Sequence, residues 1–164
     1  MTDFYAYQRI IGKIEDDAAL RQAFIQAFDA GTKADAVRFG LRYGQHLLEL
    51  TGIVPAAEVA QAFSAMQRWL DGMTNYHEAR NIAFGVLHRH ARAAGDEVTA
   101  RFYRCMGQIA CIPHVKFHAL WASDFAITLV NRLRPGDKGA VTKERQTQVS
   151  LMLDARRAEP EDTP

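Results

Sequence analysis

The sequence predicts an all-α protein: a single-domain bundle of about six to eight helices. Three observations carry that expectation. Ala, Leu, Gln, Glu, Arg and Met dominate the chain, and all favour helix. Apolar residues recur at the 3.6-residue period along most of its length. Alternating runs rich in Val, Ile and Thr are absent, and no Asn-Gly or Asp-Gly turn joins two such runs. With 164 residues, 48% of them apolar, the chain can bury a sizeable core without a disulfide or a metal.

Asp3 to Lys13 carries Phe4, Tyr5 and Tyr7 and is expected to form a short helix. A second helix runs from Asp16 or Asp17 to Ala30, with Leu20, Phe24, Ala27 and Phe28 inward and Gly31 as its stop. Thr32 caps a third, to about Leu50, whose inner stripe includes Val37, Leu41, His46, Leu47 and Leu48. Thr51-Gly52 ends it. Pro55 opens a fourth in the first turn, where a missing N–H costs nothing. That helix carries Val59, Phe63, Met66, Trp69 and Leu70 toward Asp71-Gly72.

Thr74 or Asn75 caps a fifth helix, with Ala79, Ile82, Ala83, Val86, Leu87, His90 and Ala91 on one stripe. Asp96 caps a sixth, which buries Val98, Phe102, Cys105, Ile109 and Ile112. Pro113 breaks or kinks the chain, because it removes one donor and clashes with the preceding turn. A seventh helix then runs through His114, His118, Trp121 and Phe125 to Leu133, and Trp69 and Trp121 are both expected to be largely buried. Arg134-Pro135-Gly136-Asp137 is the clearest break. It divides a bundle over 1–135 from a C-terminal extension over 136–164, with one charged helix from about Thr142 to Arg157 and a disordered EPEDTP tail. The apolar face of that helix (Val149, Met152, Leu153) is small, so it is expected to pack loosely or to dock, on the bundle or on a second copy in a homodimer.

Composition excludes several function classes. A net charge of +1 gives no general attraction to nucleic acid or acidic membranes. No stretch approaches the roughly 18 apolar residues of a membrane span. The first residues lack a secretory signal's basic and apolar regions, and Cys105 and Cys111, six apart, point in different directions on one helix. Two unpaired thiols in a core or lining role suit a reducing, cytoplasmic setting.

Chemistry-bearing residues are few. There is no phosphate-binding glycine loop and no nucleophile elbow. The six histidines are His46, His77, His88, His90, His114 and His118. His114 and His118 are four apart, a spacing that can hold one metal on a helix face. The metalloprotease pattern needs Glu after the first His, where this chain has Val115, and the Glu-x-x-His pairs of di-iron bundles are missing. Alignment with Trp121 and Phe125 instead predicts inward, hydrogen-bonded rings. Asp124, inside an apolar helix, must face a histidine or an arginine, because an unpaired buried carboxylate is costly. The candidate polar or ligand-binding cluster is therefore His46, His88, His114, His118 and Asp124, with no catalytic residue, metal or cofactor expected.

Five pieces carry a family resemblance, in order along Val37 to Leu133, about 60% of the chain. They are Tyr43-Gly44-Gln45-His46-Leu47-Leu48, Trp69-Leu70-Asp71-Gly72, Glu78-Ala79-Arg80, Leu87-His88, and Cys105-Met106-Gly107-Gln108-Ile109-Ala110 through His114-Val115 to His118-Ala119. In these the chain resembles the Imm-5-like family of immunity proteins from bacterial polymorphic-toxin loci. It departs at Pro113, where the family helix has a small residue, and at bulky Phe102, Tyr103, Cys105 and Met106. The resemblance implies a non-catalytic protein that binds and blocks a cognate protein toxin. The alternative from the residues alone is a small helical enzyme or metal-binding bundle that uses the histidines.

Overall fold

The computed structural model describes residues 14–158, so the expected helix at Asp3 to Lys13 and the EPEDTP tail lie outside the described residues. Within them every regular element is helical. We number the elements α1 (Ala18–Ala30), α2 (Lys33–Thr51), α3 (Ala57–Leu70), α4 (His77–Ile82), α5 (His88–Ala93), α6 (Glu97–Ala110), α7 (His118–Leu133) and α8 (Lys138–Arg157). A π-helical turn, Ala83–Leu87, joins α4 to α5 in one rod, and His88 N–H bonds back five residues to the Ala83 carbonyl.

Polar side chains start four of these eight helices. Asp17, Asp96 and Asp137 accept from Leu20, Thr99 and Ala140 N–H, and Thr32 with Asp35 forms a reciprocal capping box. Gly52 stops α2 in the left-handed conformation, φ 64°. Gly31 does not act that way. Its φ is −92°, and its missing side chain serves packing: a Cβ there would stand 2.9 Å from Met152 Cε on α8.

The pair α6 and α7 forms the centre. Helices α1, α2 and α8 cover one flank, while α3 and the rod cover the other. Phe24, Phe39, Leu47, Met66, Phe102 and Ile109 are all fully buried between them. Trp69 and Trp121 are partly buried, at the edge of the fully buried core. The core positions beside them are taken by slimmer residues, Ala62, Ala65 and Met66 on α3 and Ala119, Leu120 and Ala122 on α7. Such residues let the helix axes approach, and the indoles lie at the margin.

Two further expectations change. Residues 111–117 form turns, and α7 begins only at His118. Short bonds from Cys111 N–H to Gln108 O and from Ile112 N–H to Ile109 O tighten the end of α6, and Pro113, which has no N–H to give, closes it. His114 and His118 therefore do not share a helix. The last helix starts at Lys138 and packs on α1, α2 and α7, so the surface it stands against is the bundle itself. Its buried face is Val141, Glu144, Arg145, Gln148, Met152 and Ala155, while Val149 and Leu153 are partly buried.

Candidate functional site

The buried stripe of α8 is half polar, and each polar member has a partner from a distant segment. The Arg145 guanidinium, with no exposed surface, forks onto Asp16 (Nε–Oδ1 and Nη2–Oδ2, both 2.8 Å), donates to Asp124 Oδ1 at 2.7 Å and reaches Gln148 Oε1 at 2.9 Å. Arg21 on α1 adds two donors to Asp124, at 3.0 and 3.1 Å. Gln148 Nε2 donates to the Ser123 carbonyl and to Tyr43 Oη, and Tyr43 in turn donates to Glu144 Oε1 at 2.6 Å. His46 Nε2 meets the same carboxylate at 2.9 Å. One continuous network thus runs from Arg21 through the interior to His46.

Burial pushes the Asp124 carboxyl up to about 7, and Arg145 opposes that shift. With three guanidinium N–H groups within 3.1 Å, the geometry accommodates the carboxylate. The Tyr43 hydroxyl is held well above its ordinary value by burial and by Glu144. The hydrogen bond to Glu144 raises His46, which favours an imidazolium there. The network surfaces at a cleft of about 680 Å³ lined by His46, Glu144, Leu50, Val130, Leu133 and Lys143. Each buried ionisable group in the network is engaged by another, an arrangement that fixes four helices, α1, α2, α7 and α8, in register. Both cysteines are buried and unpaired, and burial raises the Cys111 thiol to about 11, so neither is an activated nucleophile.

The other histidines gather on the opposite flank. His118 Nδ1 pairs with Gln108 Oε1 at 2.7 Å, and its ring meets Trp121 edge-on. The His88 ring covers Gly107, where a Cβ would come within 2.5 Å of it. His114 sits in the turn after Pro113 against Tyr76. Thus His88, His114 and His118 share one face, His46 lies at the cleft, and Asp124 lies inside. The five do not form one cluster. Tyr43 entered only as part of a family piece, and Glu144, Arg145 and Gln148 were not among the candidate site residues. Their signal was the 3.6-residue alignment of 144, 145 and 148 with Val141, Met152 and Ala155. Among the described residues, no three His, Cys, Asp or Glu side chains are placed to share a metal ion, and no helix is long and apolar enough to cross a membrane.

His118 gives a pH test. Burial, with smaller contributions from His114 and His88, lowers its pKa from 6.5 to about 4. Between those values the unfolded chain binds a proton that the folded chain does not, so stability is full above pH 6.5 and falls toward pH 4. His46 has the opposite sign: its contribution is present below pH 6.5 and fades as pH rises through its raised pKa. His118→Gln is expected to flatten the acid-side loss in urea midpoints. An unchanged pH slope would show that the ring titrates freely.

The family model described as "Imm-5 like putative immunity protein" matches residues 26–155. No curated protein and no solved structure gives a significant match.

Proposed function

The chain belongs to the Imm-5-like immunity protein family, and from that premise we propose that it binds a bacterial protein toxin in the cytoplasm and neutralises it by surface contact, without catalysis. The observation that carries the reading is the extent of the match, which takes in α2 to α7 whole and most of α8. The side chains that a reaction would need are occupied in ways that support it. Asp124 is held by two arginines, Glu144 by Tyr43 and His46, and His118 by Gln108. Blocking a toxin needs a complementary surface and no reaction centre. The rival reading, a metal-binding bundle or small enzyme, has less support, because His46 stands apart from the other histidines. Nucleic acid is a poor partner for a chain of net charge +1.

The test is titration of the purified toxin encoded beside this gene with the full chain. A stoichiometric complex and loss of toxin activity are expected. Full toxin activity in the presence of excess chain would end the reading, and zinc binding by the same preparation would promote the rival.

A further inference from the structure

The rod and the turn at 111–117 bring together rings and cations that the buried network does not use. Tyr76 packs against both His77 and His114, with centroids 4.2 and 4.5 Å away. One turn along the rod, the Arg80 guanidinium lies 5.1 Å over Phe84, and Phe84 meets the His88 ring at 5.6 Å. The π turn leaves Phe84 55% exposed, large and apolar though it is. Such turns inside α-helices are enriched at functional sites. Val115, next to His114, is a second exposed apolar side chain.

The charged groups that act on His88, His114 and His118 have one sign. Arg92 and Arg104 act on His88; Arg80, Lys33 and His77 act on His114; His114 and His88 act on His118. No carboxylate is among them. The one acid on the rod, Glu78, is engaged by Arg68. Arg80 Nε is buried with no hydrogen-bond partner among the described residues.

We propose that this face, centred on Phe84 with Arg80, Arg92, Arg104 and His88 around it, docks onto a carboxylate-rich surface of the protein partner. The proposal rests on the toxin-binding reading and supplies its surface and the partner's chemistry. An exposed aromatic with an arginine over its ring has the make-up of an interface anchor. Unopposed cations of one sign repel a basic surface and steer an acidic one into register. The exposed guanidinium groups of Arg92 and Arg104 gain most from carboxylates, which can accept two bonds at once. A nucleic-acid backbone fits less well, because the exposed centre is apolar.

The experiment uses the full chain and the purified toxin encoded beside its gene. Arg92→Glu with Arg104→Glu reverses two exposed charges, Phe84→Ala removes the anchor, and Arg157→Glu on the exposed end of α8 is the control. All three should melt like the unmodified chain. The double reversal is expected to slow association about tenfold at low salt, with the difference shrinking as salt rises. Phe84→Ala is expected to speed dissociation about tenfold, and Arg157→Glu to change neither rate. If the toxin binds the unmodified chain and the variants alike, this face is wrong while toxin binding stands. Faster association after reversal assigns a basic partner surface and overturns the proposal. Loss of binding to a short DNA duplex alone also overturns it. No binding by the unmodified chain removes the toxin-binding reading and this face together.

Discussion

Arg145→Met is expected to destabilise the protein by about 3–5 kcal/mol, because it takes a buried guanidinium away from two carboxylates without shrinking the side chain. Arg145 has no exposed surface, and its guanidinium is shared by Asp16, Asp124 and Gln148. Methionine keeps most of the volume, so the loss is electrostatic and not a cavity effect. Asp124, 1% exposed, would retain only Arg21, and the fork onto Asp16 would be gone. Arg145→Lys should lose less, since it keeps the charge but cannot present donors to three partners in one plane. Urea unfolding of the two variants checks this. A Met variant within about 1 kcal/mol of the parent would mean the network is incidental to stability. The expected cost is that of breaking the pair, not the net worth of having it, because a well-packed apolar substitute for all members could be as stable.

The parts of the fold that depend on local chemistry were legible in the sequence. Thr32 and Asp96 cap because a side-chain oxygen three residues from a free N–H is enough, whatever surrounds it. Gly52 and Asp71-Gly72 end helices for equally local reasons. Asp124 was also legible, since a carboxylate on an apolar stripe demands a cation. Its partners were not. Arg145 is 21 residues away and Arg21 is 103, and nothing local marks either. The same distance hid the meaning of α8. Counting only its apolar side chains gives a weak face, because Glu144, Arg145 and Gln148 are buried through groups on α2 and α7 and in the segment before α1. The histidines were separated for a different reason. The i, i+4 rule holds within a helix, and Pro113 moves the start of α7 past His114. The tightest contacts use small residues: a Cβ on Gly40 would stand 2.6 Å from Ile112 Cδ1.

Phe39→Ala is expected to cost about 3–5 kcal/mol, more than loss of either tryptophan. Its ring is fully buried and lies midway in a ladder, 5.1 Å from Phe24 on one side and 5.1 Å from Tyr43 on the other. Tyr43 continues the ladder to His46 at 5.7 Å and holds Glu144 and Gln148 through its hydroxyl. Phe39 is therefore where the apolar core meets the polar network. Deleting its ring removes transfer energy, leaves a cavity among α1 and α2 side chains, and takes away one wall of the slot that orients Tyr43. Trp69→Ala should cost about 1–2 kcal/mol, because a partly buried side chain leaves surface that water already reaches. The readout is a pair of denaturation curves, joined by the pH dependence of the His46 ring resonances. If the Phe39 ring supports the network, its loss moves the His46 titration down toward 6.5 as the hold on Glu144 loosens. If Trp69→Ala proves the more damaging, the core lies nearer α3 than the α1–α2 ladder, and the placement of Tyr43 rests on other contacts.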